Sequence, residues 1–308
     1  MLVNPDGLNL GLVSGGCLEA DIRLQARKVL TYNEARCITY DSMDEDNIAA
    51  ELGLGCNGRV EVLVQKLGTV HQKILHELYD RMEAGKNSYL LHCISSETPA
   101  EMNALVLLDE YGAVIANALQ TEVPLIDADM LNQSHQLLAD GKRRWSLSRY
   151  RPPINLWVFG GGVDARPVVS LAASLGWRVT LVDHRAAYAR EKDFHHAEII
   201  LRQKPEEFDG AINADAALLM THNLNLDASW LSRLSDVGSL RYLGILGPLD
   251  RKREAIEIAG IKDSSDFLDV LHGPMGFDIG GDIPESIALS TLAQCHQILF
   301  DKERRRKS

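Results

Sequence analysis

Two cysteines lie in glycine-rich turns, where a thiol is accessible and can take part in chemistry. Cys17 follows two glycines in VSGGCLEADI and precedes an amphipathic helix, whose free N–H groups and positive dipole end favour a thiolate. Cys56 lies in GLGCNGRVEV, a turn signal before a strand. Two such thiols indicate the handling of sulfur or of a soft metal, with Cys17 and Cys56 as its ligands. The open alternative is two unrelated small residues in tight turns.

The other three of the five cysteines have the contexts of buried residues. Cys93 lies in an apolar strand, Cys295 on the apolar stripe of the last helix, and we expect the same burial for Cys37. The cysteines are widely spaced without a CxxC pair, which predicts free thiols in a reducing compartment. Zinc fits poorly because no further ligands follow at short spacing.

The sharpest motif of the second half is a glycine loop, WVFGGGVDARP. Gly160, Gly162 and Ala165 have the spacing G-x-G-x-x-A between an apolar strand and a helix, which is the context of a nucleotide-binding turn. A diphosphate there would meet the free N–H groups of the helix. About twenty residues later, Asp183 ends the next strand, where an acidic side chain accepts hydrogen bonds from a ribose. The sequence therefore predicts binding of a nucleotide or dinucleotide; an unused loop, or one that holds another protein, is the alternative.

Polar and glycine residues also follow the later strands of this half. The carboxyl ends of strands are where such sheets bind ligands, so we expect these loops to converge on the glycine loop. A ligand contact is the expected role for His222, because the sequence shows no nucleophile for which it would be the base. The further candidates for cofactor binding are Arg185, Thr221, His222, Asn223, Gly247, Gly280 and Gly281. Asp282 is the expected N-cap of the last helix, with Pro284 in its first turn.

The elements that position these residues divide the chain into two domains, 1–150 and 151–308. The charged run from Asp140 to Pro153 lacks apolar periodicity and predicts a linker or a loop at the domain edge. Before it, strands and helices mix, with a hairpin at the start and helices expected at about 18–30, 70–84 and 127–140. After it, apolar strands alternate with helices. The fold class is α/β: an N-terminal mixed α+β domain and a C-terminal, Rossmann-like, doubly wound parallel sheet.

Composition excludes several classes of protein. The 308 residues carry a net charge of −11, which argues against nucleic acid or an anionic membrane as a partner. Neither a bilayer-spanning apolar run nor a signal peptide is found in the sequence, and we expect a cytoplasmic protein.

Six stretches taken together resemble the XdhC/CoxI family of accessory proteins for molybdenum hydroxylases. In chain order these are GLVSGGCLEADI, GLGCNGRVEVLV, WVFGGGVDARPVVSLAASLGWRVTLVDHR, LLMTHNLNLDASWL, YLGILGPLDRK and GFDIGGDIPESIALSTLAQ. The resemblance implies a chaperone that binds the molybdenum cofactor, as molybdopterin or its dinucleotide form. It also implies help with cofactor sulfuration by a cysteine desulfurase, and insertion into a xanthine dehydrogenase or aldehyde oxidase-type apo-enzyme.

The same resemblance carries Cys17, Cys56, Gly160, Gly162 and Asp183 over as matching positions. It implies no catalytic turnover and leaves a homodimer open. Family members have a strand and a Gly- and Arg-containing loop before the first hairpin, and we expect the N-terminal domain to lack that strand. The glycine loop alone would favour an NAD(P)-dependent oxidoreductase, but we assign no residue of the sequence to hydride transfer. A regulatory or scaffolding protein is the third interpretation.

Overall fold

The computed structural model describes residues 1–6, 8–41, 58–118, 122–262 and 266–300. Its contacts divide the chain into two compact units, Met1–Pro152 and Pro153–Ser308. No helix within the described ranges combines the length and the apolar character that a membrane span needs.

The first unit begins with a short antiparallel hairpin, as the sequence predicts. Helix α1 follows and packs on an antiparallel pair of strands, because its Ile22 and the preceding Leu18 bury against Tyr40. Apolar residues recur along α1 with helical spacing, and its buried stripe includes Ile22, Ala26 and Val29. These elements are β1 (Leu2–Val3), β2 (Asn9–Leu10), α1 (Glu19–Tyr32), β3 (Arg36–Asp41) and β4 (Arg59–Val64).

A five-stranded antiparallel sheet forms the rest of this unit, in the order β7-β6-β5-β9-β8. Helix α2 covers one face, where its Ile74 and Leu78 pack on Leu90. The short α3 lies over the other face, and its Leu131 belongs to the core that includes Trp145. The elements are α2 (Thr69–Glu83), β5 (Ser88–Ser95), β6 (Leu105–Leu108), β7 (Val114–Asn117), α3 (Ala128–Leu131), β8 (His135–Asp140) and β9 (Arg143–Tyr150), with a 3-10 helix at Pro99–Asn103.

Two expectations for this region are wrong. The helix expected at 127–140 stops at Leu131, and β8 follows it. The linker expected from Asp140 to Pro153 contains β9, which pairs with both β5 and β8. Those two neighbours supply the hydrogen bonds that make a strand of this charged segment.

The second unit is a six-stranded, wholly parallel sheet in the order β12-β11-β10-β13-β14-β15. Along β10 (Asn155–Phe159), Leu156 and Val158 enter the core under α4 (Ala165–Ser174) and α7 (Pro284–Phe300). Trp157 and Phe159 enter the core under α5 (Leu224–Leu234) and α6 (Leu249–Ala259). Strands buried on both faces are apolar throughout, which is why the sequence shows them clearly. The predicted α/β fold with a Rossmann-like sheet is confirmed.

The strand order reverses direction between β10 and β13, and ligands of such sheets bind at that point. The strands are β10 (Asn155–Phe159), β11 (Arg178–Val182), β12 (Ile199–Leu201), β13 (Ala216–Leu219), β14 (Tyr242–Ile245) and β15 (Leu271–His272). The helices are α4 (Ala165–Ser174), α5 (Leu224–Leu234), α6 (Leu249–Ala259) and α7 (Pro284–Phe300), with 3-10 helices at Pro205–Glu207 and Asp266–Val270.

Candidate functional site

The glycine loop joins β10 to α4 at the point where the strand order reverses. Gly160 has φ +112°, and its N–H donates to the carbonyl of Val182 over 2.8 Å. A Cβ on Gly160 would lie 2.3 Å from the carbonyl oxygen of Met220, at the end of β13. The chain therefore turns here only because this residue has no side chain.

The residues after this turn present backbone donors at the start of α4. Within the described residues, the N–H groups of Gly162, Val163 and Asp164 have no hydrogen-bond partner. The first N–H groups of a helix are unsatisfied by the helix itself and carry its positive dipole end. Ala165 is fully buried and keeps α4 close to the sheet. The loop therefore offers the donors and the field that an anion requires.

Asp183 ends β11 beside this loop, but its carboxylate is occupied. It accepts hydrogen bonds from the Gly161 N–H (2.8 Å), the Arg185 N–H (2.9 Å) and two guanidinium nitrogens of Arg185 (3.0 and 2.7 Å). Burial raises the pKa of the Asp183 carboxyl, but the bonds from Arg185 and Gly161 outweigh it, and the pKa lies below its ordinary value. Asp183 is therefore a buried anion with four donors.

Arg185 is held by this carboxylate and by an aromatic ring. Its guanidinium carbon lies 3.9 Å from the centroid of the Tyr188 ring, a cation–π contact. The hydrogen bonds to Asp183 raise the pKa of the guanidinium above its ordinary value. Its side chain is 38% exposed, whereas that of Asp183 is 2% exposed. The pair therefore presents its positive member to the surroundings.

His222 follows β13 and faces the glycine loop. Its φ of +55° is left-handed, which a non-glycine residue adopts at a cost and which is frequent at functional sites. A Cβ on Gly162 would lie 3.5 Å from His222 Nε2, so the two residues are adjacent. The same nitrogen lies 3.1 Å from Asp164 Oδ2. An exposed imidazole therefore stands beside the carboxylate at the start of α4.

Thr221 and Asn223, on either side of His222, are used inside the protein. Thr221 Oγ1 lies 2.6 Å from Oδ1 of Asp227, and Asn223 Oδ1 accepts the Leu226 N–H over 3.1 Å as the N-cap of α5. Both interactions fix the start of α5. The two side chains hold the loop that presents His222.

Gly247 is linked to this loop through an ion pair. Arg251 Nη2 bonds Asp227 Oδ2 over 2.5 Å, and the Asp227 side chain is 1% exposed. A Cβ on Gly247, whose φ is +119°, would lie 2.6 Å from Arg251 Cδ. The absence of a side chain at Gly247 therefore leaves space for the Arg251 side chain. The ion pair of Arg251 with Asp227 connects the turn after β14 to the turn after β13.

Gly247, Gly280 and Gly281 also line one cavity of about 350 Å³ beyond β14. Gly280 and Gly281 have φ of +80° and +83°, and a Cβ on Gly281 would lie 2.6 Å from Ser286 Oγ at the start of α7. The residues Met275 and Phe277 form part of the apolar wall of this cavity. The expected capping role of Asp282 is wrong by one residue, because the carbonyl of Ile283 accepts the first N–H groups of α7.

Cys17 is exposed, on a loop that Glu19 holds in place. The Glu19 side chain accepts the N–H groups of Val13 (3.0 Å) and Ser14 (2.8 Å) and the Ser14 hydroxyl (3.0 Å). These bonds, with that of the Ser14 N–H the strongest, hold the pKa of Glu19 at about 2. No atom lies within 4 Å of a Cβ built on Gly15 or Gly16. The thiol is therefore on a fixed but open turn before α1.

The other cysteines divide as follows. Cys93 and Cys295 are buried as expected, but the expectation for Cys37 is wrong, because its side chain is exposed. Along β3, Tyr40 and Ile38 face α1, and the alternation turns Cys37 to the opposite face. Cys56 lies outside the described residues. Among the residues that are described, no three His, Cys, Asp or Glu side chains come together as a metal site.

Sequence reasoning missed three residues that shape this site: Asp164, Tyr188 and Asp227. Asp164 is inside the quoted glycine loop, and its position at the start of a helix was an available signal. Asp227 lies four residues after the cap residue Asn223, one helical turn on. Tyr188 had no sequence signal, since its contact with Arg185 depends on how the loop after β11 folds.

The arrangement can bind an anion and orient it. The structure brings the glycine loop, Asp183 with Arg185, and Thr221 with His222 to one edge of the second unit's sheet. Cys17 belongs to the first unit, and its turn is described within that unit alone.

Known proteins resemble this chain along most of its length. The family model of the XdhC Rossmann domain matches residues 156–295, and the model of the XdhC and CoxI family matches residues 1–41. A Bacillus subtilis protein named as a probable subunit of xanthine dehydrogenase is 28% identical over 301 residues, covering 96% of this chain and 86% of that protein. The Escherichia coli "Molybdenum cofactor insertion chaperone PaoD" is 21% identical over 317 residues, covering 98% and 78%.

A solved structure gives the same result for the fold. A crystal structure from Bacillus halodurans, described as a xanthine dehydrogenase, matches with a TM-score of 0.79 and 28% identity. The match covers 96% of this chain and 84% of that one.

Proposed function

This chain belongs to the XdhC and CoxI family, and from that premise we propose that it is a maturation chaperone for a molybdenum hydroxylase. It binds the molybdenum cofactor, assists its sulfuration and delivers it to a xanthine dehydrogenase or aldehyde oxidase-type apo-enzyme. It has no turnover of its own. The name of the E. coli relative supports the role, and one feature of this chain supports the ligand: the three backbone donors of the glycine loop.

The chemistry of the loop fits the phosphate of a pterin cofactor. Gly162, Val163 and Asp164 offer unpartnered N–H groups at the start of α4, and Gly162 lets an oxygen approach the backbone closely. The carboxylate of Asp164 opposes an anion there. His222 Nε2, 3.1 Å from that carboxylate, offsets this repulsion when its N–H donates a hydrogen bond to Asp164. The cofactor itself supplies the metal centre on which the recipient enzyme depends.

The thiols would serve the sulfur chemistry of the role. Cys17 is exposed on a turn that Glu19 fixes, so it can reach a soft metal or an incoming sulfur without unfolding. Cys56, outside the described residues, is the second proposed ligand. A cysteine desulfurase is the proposed donor of that sulfur.

The experiment for the phosphate site is a cofactor-loading assay with a glycine variant. Gly162→Ala adds a methyl group that meets only the His222 ring, at 3.5 Å, so the fold is expected to persist. The methyl group obstructs the approach of a phosphate, and we expect molybdenum retention after desalting to fall at least about tenfold. Gly238→Ala is the matched control, because no atom lies within 4 Å of its Cβ.

Unchanged loading of Gly162→Ala would exclude the glycine loop as the cofactor site. Reduction of an electron acceptor by NADH or NADPH, with no molybdenum uptake by the parent protein, would instead support the oxidoreductase alternative.

A second set of variants tests the thiols. We expect Cys17→Ser and Cys56→Ser each to lower molybdenum retention several-fold at unchanged melting temperature, because a hydroxyl is a poor ligand for a soft metal. Cys37→Ser is the control, since Cys37 is also an exposed thiol of the first unit. Parent-like loading of both variants would remove the thiols from the proposal. Metal and phosphorus are measured together on each sample.

A further inference from the structure

The carboxylate of Asp183 has no capacity left for a ribose. Each oxygen already accepts two hydrogen bonds, one from a backbone N–H and one from Arg185. A carboxylate has about four acceptor positions, all of which these donors fill. A ribose diol could bond Asp183 only by displacing the bidentate, charge-assisted hydrogen bonds from Arg185. Such bidentate pairs are among the stronger hydrogen-bonded interactions in proteins. The usual role of an acidic residue at this strand end therefore does not apply.

Arg185 bonds both oxygens of the carboxylate that a ribose would need. Two of its three guanidinium nitrogens bond Asp183, and Nη1 takes no part in that ion pair. The Tyr188 ring supports the plane of the guanidinium at 3.9 Å. An arginine fixed on one edge and supported on one face has lost much of its side-chain freedom before any ligand arrives.

We infer that Arg185 is the ligand-facing residue of this strand end, that it binds a phosphate group, and that Asp183 is the residue that positions it. The inference rests on the proposed use of the glycine loop as a phosphate site and adds a second anion contact to it. The ligand class that follows is one with two separated phosphate groups, or with a phosphate in the place of a ribose hydroxyl.

The distribution of charge supports a phosphate over a neutral hydroxyl. The negative member of the pair is buried and the positive member is exposed, so an approaching anion meets the guanidinium before the carboxylate. Gly161 contacts both Asp183 and Tyr188. Its N–H donates a hydrogen bond to Asp183 Oδ2, and a Cβ on Gly161 would lie 2.4 Å from the Tyr188 carbonyl oxygen. The glycine loop, the carboxylate and the tyrosine are thus parts of one arrangement.

The test uses three adenosine nucleotides that differ only at C2′: 2′-deoxyadenosine 5′-phosphate, adenosine 5′-phosphate and adenosine 2′,5′-bisphosphate. Their dissociation constants are measured by calorimetry on the full chain. We expect the bisphosphate to bind at least about tenfold more tightly than adenosine 5′-phosphate. We expect the other two nucleotides to bind within about twofold of each other, because no acceptor is left for the 2′-hydroxyl.

Variants assign the effect to the pair. Arg185→Ala should abolish the preference for the bisphosphate and, by exposing Asp183, create a preference for the ribose over the deoxyribose. Asp183→Asn should reduce the bisphosphate preference, since an amide holds the guanidinium less firmly. Arg178→Ala, which removes the same charge at the opposite end of β11, should behave as the parent does.

A parent protein that prefers the ribose to the deoxyribose, or that binds none of the three nucleotides, would overturn the inference. So would an Arg185→Ala variant with the parent's selectivity. Loss of this inference with normal molybdenum loading leaves the proposed function standing. The expected selectivity together with no molybdenum loading removes the proposed function alone.

Discussion

Gly160, Gly161 and Gly162 follow β10 in succession, and each lacks a side chain for a different reason. Gly160 lies against the backbone of Met220 and has a left-handed φ, so both space and conformation require glycine. Gly161 lies so close to the carbonyl of Tyr188 that a side chain would collide with it, and this close approach brings the loop after β11 against the glycine loop. Gly162 has room for a methyl group, so the fold does not require glycine there, and its proposed role is to leave space for a ligand. The fold thus requires two of the three glycines, and the third is the one proposed to serve a ligand.

This division predicts a large difference in stability between two alanine variants. Gly160→Ala combines φ strain with a contact of 2.3 Å to a backbone oxygen that cannot move away. Strain and overpacking each cost about 1–3 kcal/mol, so we expect a loss of about 2–6 kcal/mol in the free energy of unfolding. Gly176→Ala has φ +76° but no atom within 4 Å of its Cβ, and we expect a loss of only about 1 kcal/mol.

Urea unfolding followed by far-UV circular dichroism measures both values. Equal losses in the two variants would mean that the chain relieves the contact at Gly160 by moving β13, and that the end of β13 is not rigid.

At the residue scale, the sequence located the site but not the state of its side chains. The glycine spacing and the acidic strand end predicted where Gly160, Gly162 and Asp183 lie, because spacing fixes position along a strand–turn–helix unit. The pairing of Asp183 with Arg185, two residues apart, depends on the path of the chain after β11, and the left-handed φ of His222 depends on its contacts. Periodicity carries no information about either.

At the scale of elements, the second unit was predictable because its strands are buried on both faces. The stretches INLWVFG and RYLGILG are short, largely apolar runs that each end in a glycine, and the structure contains them as β10 and β14. A helix follows each in the expected place. A parallel sheet under two layers of helices leaves few alternatives for such segments.

The first unit was harder to predict because its strands carry charge. In β9, Trp145 and Leu147 alternate with Arg144, Ser146 and Ser148, and only the first two are buried. The alternation is that of a half-buried strand, but two arginines and the lysine before them favour a solvated linker. In β8, Leu138 is buried while Leu137 is 61% exposed, so adjacent leucines conceal the period of two. Pairing with neighbouring strands determined that both segments form strands, and the strand β5, with which β9 pairs, is distant in the sequence.

At the scale of the whole molecule, the described residues form separate cores in the two units. The first unit's sheet has a core on each face, one with Trp145 and one under α2. The second unit's cores lie on the two faces of the parallel sheet. A group that changes charge inside one of these cores is therefore expected to act on its own unit first.

His92 lies half-buried in β5, the central strand of the first unit's sheet, and it predicts a loss of stability in mild acid that begins in the first unit. Burial, and to a lesser degree the neighbouring His71, lowers the pKa of His92 to about 4. Its pKa in an unfolded chain is about 6.5, so the neutral imidazole stabilises the fold fully above that pH. The stability is lost as the pH falls from about 6.5 towards 4, because the unfolded chain then binds a proton that the folded chain does not. At pH 5 the loss is on the order of 1–2 kcal/mol.

The two buried cysteines report on each unit separately. Cys93 lies in the first unit beside His92 and Cys295 in the second, and both side chains are fully buried. In urea, labelling with a pyridyl disulfide that reacts in acid should show the midpoint for Cys93 falling by about 0.5–1 M between pH 7 and pH 5, ahead of that for Cys295. His92→Gln should remove this shift, and His135→Gln, at an exposed histidine of the same sheet, should keep it. A parallel fall of both midpoints in the parent and in His92→Gln would show that acid acts through other groups, and that the two units unfold as one.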